Sequence, residues 1–71
     1  MHKLRFLRKK LKISQLHLAR LLGVSKTMIY YYENKYFNPS IEIANKIIKL
    51  GARIKIDIKL EELITDLEKN K

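Results

Sequence analysis

Hydrophobic residues recur at intervals of three and four along the first fifty positions, the spacing of amphipathic helices. A first helix is predicted from His2 to Leu11, with an apolar stripe formed by Leu4, Phe6, Leu7 and Leu11. Ser14 has the side chain of a helix N-cap and Gly23 that of a left-handed helix end. A second helix is therefore predicted between them, with four leucines turned inward: Leu16, Leu18, Leu21 and Leu22.

Two more helices follow with the same kind of start signal. Ser25 predicts a third helix that runs to about Asn34. With Ile29 in the core, a step of 100° per residue places the outward and marginal side chains of this helix. They are Thr27, Tyr31, Asn34, Tyr30 and Lys26, whereas Tyr32 turns toward the core. Ser40 predicts a fourth helix that ends at Gly51, with an apolar face of Ile41, Ile43, Ala44, Ile47 and Ile48.

The pattern changes period after the fourth helix. Isoleucines alternate with charged residues from 53 to 59, which predicts a short β-strand at about 53–58. Helical spacing then returns in a last helix, whose apolar residues are Leu60, Leu63, Ile64 and Leu67. The predicted fold class is therefore mainly α, with five helices and one short strand.

Composition narrows the class of protein. A chain of 71 residues makes one domain, residues 1–71. It has no cysteine and only two histidines, so we expect no disulfide, no metal site and no cofactor. No apolar run approaches the roughly 20 residues of a membrane span, so we expect a cytoplasmic protein without a membrane partner. An enzyme is not expected either, because no paired carboxylates, activated nucleophile or glycine-rich phosphate loop can be found.

Positive charge is concentrated at the front of the chain. Residues 1–40 carry nine Lys or Arg and one acid, Glu33, whereas residues 41–71 carry seven bases and six acids. The first part therefore suits a polyanion, and the second part suits folding or dimerisation. Residues 14–34 add geometry to this charge, because two short helices joined at Gly23 form a helix-turn-helix that can place its second helix in the major groove of DNA.

The chain from Leu4 to about Leu50 resembles the Cro and lambda-repressor-like family of phage repressors. The residues that carry the resemblance keep unbroken spacing: Leu7-Arg8, Ile13-Ser14-Gln15, Leu18-Ala19, Leu22-Gly23-Val24-Ser25, Ile29, Tyr32-Glu33-Asn34 and Asn38-Pro39-Ser40. The resemblance implies a compact five-helix domain that binds operator DNA, usually as a dimer.

The resemblance also implies roles for single residues. Lys26, Thr27 and Tyr31 match positions that touch base edges, and the neighbouring Tyr30 is a further candidate for base contact. Gln15 and Asn34 match phosphate contacts, and Arg8 and Glu33 match a structural pair. Four lysines near this face are additional candidates for phosphate contact, with a merely solvated surface as the alternative: Lys9, Lys10, Lys12 and Lys35. Tyr36 and Phe37 could either pack on the protein or lie along the sugar–phosphate backbone.

Two lysines depart from the family pattern, which often has glycine just before Ile13 and just after Asn34. Lys12 and Lys35 stand there. A left-handed lysine costs about 1 kcal/mol relative to glycine, so either these residues accept that cost or the loops take another conformation.

The segment 52–71 is predicted to dimerise the protein. An unpaired strand edge recruits a partner, so Ile54, Ile56 and Ile58 could form a two-stranded antiparallel ribbon across a two-fold axis. The alternative is an irregular lead into the last helix, with dimer packing through Leu60, Leu63, Ile64 and Leu67.

The sequence therefore predicts a sequence-specific DNA-binding transcriptional regulator, most simply a repressor that binds a palindromic operator as a homodimer. One alternative is a DNA-binding antitoxin that grips a small toxin protein through residues 53–71. Another is a scaffold or RNA-binding module that reuses the fold.

Overall fold

The computed structural model describes residues 2–64, which form five helices joined by short loops. The helices are α1 (Lys3–Leu11), α2 (Gln15–Leu22), α3 (Lys26–Glu33), α4 (Ile41–Ala52) and α5 (Leu60–Leu63). The five-helix prediction is confirmed, but the strand prediction is wrong, since no β-strand occurs between residues 2 and 64.

Hydroxyl caps begin the three central helices. The side chains of Ser14, Ser25 and Ser40 accept hydrogen bonds from backbone N–H groups three residues later, at 3.0, 3.1 and 3.2 Å. Each bond satisfies one of the N–H groups that a helix start leaves without a partner. The first helix begins one residue later than predicted, because His2 is its cap and accepts from the Leu4 N–H through Nδ1 at 3.0 Å.

One motif ends the first four helices. A residue in the left-handed conformation lies one to three positions after each of these helices. The N–H of the residue after it donates to the carbonyl five residues back. The left-handed residues are Lys12 (φ 59°), Gly23 (φ 76°), Lys35 (φ 63°) and Lys55 (φ 62°). Lys12 and Lys35 thus take the strained conformation that glycine would take more easily.

The core lies where α1, α2, α3 and α4 meet, and α5 closes it. Its buried apolar residues are Leu4, Leu7, Leu18, Ala19, Leu22, Ile29, Tyr32, Ala44, Ile47, Ile58 and Leu63. The inward prediction for Leu16 and Leu21 is wrong, because both side chains are exposed. On a helix of eight residues only the narrow stripe of Leu18, Ala19 and Leu22 reaches the core.

Gly51 lies inside α4 and does not end it. The helix continues to Ala52, and Gly51 is buried against the chain that returns from the following turn. A Cβ at this position would stand 3.0 Å from the carbonyl oxygen of Ile56 and 3.1 Å from Cδ1 of Ile58. The absence of a side chain therefore allows the close approach of residues 56–58.

The alternating isoleucines belong to a turn and to the segment that follows it, which we call the strap. Residues 53–55 form the turn, and residues 56–59, the strap, have no regular secondary structure. Lys55 reverses the chain, so that Ile58 enters the core and Ile56 packs at its edge. The predicted dimer ribbon of Ile54, Ile56 and Ile58 loses Ile58, which the core of the same protomer covers. Dimerisation through this segment stays a prediction.

The last helix is short. The backbone N–H of Lys59 donates to Oε1 of Glu62 at 2.9 Å, and Leu63 is buried against the core. Leu63 is thereby removed from the alternative dimer face, whereas Leu60 stays exposed. Leu67, the last member of that face, lies outside the described residues.

Candidate nucleic-acid interface

The outward side of α3 carries polar and aromatic side chains beside one another. The cap at Ser25 starts this helix, and burial of Ile29 and Tyr32 fixes its rotation about its own axis. Lys26, Thr27 and Tyr30 are exposed as a result. The helix wheel thus places these side chains correctly.

Five of the predicted contact residues line one open depression. Gln15 comes from the first turn of α2, whereas Lys26, Thr27, Tyr30 and Tyr31 come from α3. The tight turn at Gly23 brings the two helices together in this way. The depression therefore combines a candidate phosphate contact with the four candidate base contacts.

The buried carboxylate of Glu33 connects the end of α3 to α1 and to the start of α2. Nε of Arg8 donates to Oε2 of Glu33 at 2.7 Å, and Nη2 donates to Oε1 at 3.3 Å. Arg8 also donates through Nη1 to the carbonyl of Ile13 at 3.2 Å. One guanidinium thus connects α1, the lead into α2 and the last residue of α3.

Gln15 joins the same network. Its Nε2 donates to Oε1 of Glu33 at 3.1 Å. A glutamine amide has two N–H donors, so one remains for a ligand. The Glu33 contact fixes the direction in which that second donor points.

Asn34 is oriented by a similar local bond at the end of α3. Its Nδ2 donates to the backbone carbonyl of Tyr30 at 2.8 Å, which again leaves one N–H. Lys35 follows directly and is exposed. These two residues lie at the opposite end of α3 from Lys26.

The other candidate lysines lie on and after α1. Lys9 and Lys10 are exposed in the last turn of α1, and Lys12 follows it. Nζ of Lys10 stands 5.5 Å from the centre of the Phe6 ring. None of these three lysines lines the depression formed by α2 and α3.

Tyr36 and Phe37 form part of this surface, although the helix pattern does not place them there. Their rings contact Tyr31, at centre-to-centre distances of 5.9 and 5.2 Å. The available signal is the position of two aromatic residues directly after Lys35, which stands where the family often has glycine. This contact half-buries Tyr31 on the side of α3 that faces away from the core.

Burial also raises the pKa of the Tyr32 hydroxyl, by removing water from its ionised form.

Within residues 2–64, no group of three His, Cys, Asp or Glu side chains is placed to hold a metal ion. No helix in the same range has the length and apolar character needed to cross a membrane.

Comparison with known families adds an independent line of evidence. Residues 4–51, about two thirds of the chain, match the helix-turn-helix family of the Cro/C1 type. Comparison with curated proteins and with solved structures gives no match. The matched range contains the whole depression and the Arg8–Glu33 network, and on this evidence the chain belongs to the Cro/C1-type helix-turn-helix family of DNA-binding transcriptional regulators.

Proposed function

We propose that this protein is a repressor that binds a palindromic operator as a homodimer, with α3 of each copy in the major groove. The observation that carries this proposal is the shared surface of Gln15 with Lys26, Thr27, Tyr30 and Tyr31. On this surface the amide of Gln15, a candidate for phosphate contact, lies beside side chains that suit base edges.

The base-reading side chains differ in chemistry. The ammonium group of Lys26 can donate to guanine O6 or N7, and Thr27 can bond to a base or pack on a thymine methyl group. Tyr30 and Tyr31 each offer a hydroxyl and a ring. Because Lys26 and Thr27 begin the helix, they lie at the end that enters the groove in helix-turn-helix complexes.

Phosphate contacts would set the register of the helix on the duplex. The candidates are the oriented amides of Gln15 and Asn34 and the exposed lysines Lys9, Lys10, Lys12 and Lys35. Neutralised phosphates release counterions, so affinity should fall steeply with salt concentration. Removal of one lysine that touches phosphate should reduce the salt slope by about 1.

The size of α3 favours two copies on one site. Eight helical residues span about 12 Å, which is only three or four base pairs of B-DNA. Such a short half-site gives little discrimination within a genome, whereas two half-sites about 34 Å apart give much more. We therefore propose a homodimer whose contact surface excludes Ile58 and Leu63.

Selection of bound duplexes from a random library tests the proposal. We expect an inverted repeat with half-sites about one helical turn apart, and a dimeric complex in analytical ultracentrifugation. Lys26→Ala should weaken binding to the selected duplex by roughly 10-fold or more, the range of one good base contact. The matched control is Lys59→Ala, an exposed lysine before α5. Absence of any sequence preference at low salt would contradict the proposal.

An antitoxin remains the second candidate. The observation in its favour is an open groove between α2 and α4, lined by three leucines and three basic residues: Leu21, Leu22, Leu50, Lys46, Lys49 and Arg53. Such a groove suits an acidic, apolar segment of another protein. A small protein that co-purifies with this chain and is released by Lys49→Glu would favour this function.

A further inference from the structure

Four aromatic side chains gather at the outward side of α3. We call Tyr30, Tyr31, Tyr36 and Phe37 the aromatic cluster. The Tyr30 ring lies 6.0 Å from that of Tyr31 and 6.3 Å from that of Tyr36. Four of the six aromatic residues in the chain therefore occupy one corner of the molecule.

The turn after α3 builds this cluster. Lys35 takes the left-handed conformation, and the N–H of Tyr36 donates to the carbonyl of Tyr31 at 2.9 Å. The chain thus reverses immediately after the helix, and the Tyr36 and Phe37 rings return to contact Tyr31. The cluster is positioned by backbone hydrogen bonds and not by loose loop contacts.

The cluster exposes much apolar area. Tyr36 is 64% exposed and Phe37 is 55% exposed, the two most exposed of the large aromatic residues. Contiguous exposed apolar side chains mark an interaction surface more often than isolated ones do. A functional explanation is therefore needed for two rings that the fold leaves in water.

Continuity and charge indicate that the occupant is duplex DNA. Tyr30 and Tyr31 belong both to the cluster and to the depression that holds Thr27 and Lys26. Lys35 adds a positive charge at the far edge of the cluster, and the only acid among residues 1–40, Glu33, is buried. A polyanion that lies on α3 would therefore also meet these rings.

The shape of the cluster suits a methyl group. The rings of Tyr31 and Phe37 stand 5.2 Å apart at an angle of 83°, so they form two walls of a right-angled corner. In the major groove, the C5 methyl group of thymine is the apolar feature that distinguishes A·T from the other pairs. Tyr36 supports this corner by its edge contact with Tyr31 at 5.9 Å.

We propose that the corner between Tyr31 and Phe37 holds the C5 methyl group of a thymine in each half-site and so makes that position selective for an A·T pair. Phe37 is the contact residue and Tyr36 is a positioning residue. The inference rests on the proposed DNA-binding function and adds a readout residue from outside the recognition helix.

Replacement of thymine by deoxyuridine in the selected duplex tests the inference, because it removes only the methyl group. The intact protein should lose affinity about fourfold for each half-site in which this thymine is replaced. That is the fold-change expected for the burial of one methyl group. Phe37→Ala should bind the thymine duplex more weakly and show no further loss with deoxyuridine at that position. The matched control is Leu21→Ala, since Leu21 is 50% exposed but lines the groove between α2 and α4. It should keep the full deoxyuridine effect.

Two results would overturn the inference while the proposed function stands. One is a selected duplex in which every thymine can be replaced by deoxyuridine without loss. The other is a Phe37→Ala protein that retains the fourfold deoxyuridine effect. If the cluster binds a protein and not DNA, Phe37→Ala should retain the deoxyuridine effect and should weaken a protein complex. If Phe37→Ala does not fold, Phe37→Leu gives the same comparison, because it also removes the right-angled corner. A library that yields no preferred duplex contradicts the proposed function itself.

Discussion

The segments that follow α3 and α4 begin alike and end differently. Lys35 and Lys55 both reverse the chain in a left-handed conformation, with the same pair of backbone hydrogen bonds. After Lys35, the rings of Tyr36 and Phe37 stay in water, whereas after Lys55 the side chain of Ile58 enters the core. The local motif therefore sets the direction of the chain, and the surface that the chain meets decides whether its side chains are buried.

This difference separates two tasks within one small domain. The loop after α3 extends the proposed DNA-binding surface, and the strap after α4 closes the core. Substitutions in the strap should change stability, and substitutions near α3 should change DNA binding, except where α3 itself is fastened to the core. The three predictions below test that division.

Ile58→Ala should have the largest effect on stability. Ile58 is 2% exposed and its loss leaves a cavity beneath the strap, which costs about 2–5 kcal/mol in a core. A domain this small has a total stability near the lower end of 5–15 kcal/mol, so much of its fold stability should disappear. Ile54→Ala is the matched control, since Ile54 is 38% exposed in the turn that precedes the strap. Urea unfolding followed by circular dichroism measures both; equal midpoints would show that the strap does not close the core.

Glu33→Ala should come next, at about 3 kcal/mol. The substitution leaves Arg8 and Gln15 without their shared acceptor in a partly buried place, and breaking a buried pair is strongly destabilising. Lys3→Ala is the control, because its pair with Glu62 is longer, 3.7 Å, and exposed. Exposed pairs contribute about 0–1 kcal/mol. Thermal melting compares the two variants. An unchanged melting temperature for Glu33→Ala would show that Glu33 does not stabilise the fold through its contacts with Arg8 and Gln15.

Lysine-to-glycine changes should have the smallest effect and the opposite sign. Lys35→Gly and Lys55→Gly each relieve a left-handed side chain, so each should stabilise the protein by up to about 1 kcal/mol. The lost attraction between the lysine charge and the helix C-terminus reduces this gain.

DNA binding then distinguishes these two variants. Lys35→Gly should also weaken binding and reduce the salt slope by about 1, because Lys35 is proposed to touch phosphate. Lys55→Gly should leave both quantities unchanged. Fluorescence anisotropy at several salt concentrations measures them; identical slopes for the two variants would remove Lys35 from the phosphate contacts.

Much of the fold follows from local signals in the sequence. Serine caps start α2, α3 and α4 at the predicted places, and Gly23 ends α2 in the predicted conformation. The placement of α3 also follows, because one buried residue, Ile29, fixes the rotation of the whole helix. The contact between Arg8 and Glu33 was indicated by family resemblance and not by spacing.

The parts that sequence reasoning missed depend on contacts distant in the chain. Alternation at Ile54, Ile56 and Ile58 has the period of a strand, but here these residues lie in a turn and in a strap without regular secondary structure. Only the close approach of this strap to Gly51 distinguishes the two, and that approach is a tertiary contact. Helical spacing places Leu16 and Leu21 inward wrongly, because it does not reveal how wide a stripe the neighbouring helices cover.

The aromatic cluster has a practical consequence for spectroscopy. The protein contains no tryptophan, and Tyr30, Tyr31 and Tyr36 are three of its four tyrosines. Its intrinsic ultraviolet emission therefore originates mainly from tyrosines on α3 or directly after it. Duplex titrations should quench that emission without any attached dye, so the unlabelled polypeptide is its own optical reporter of occupancy.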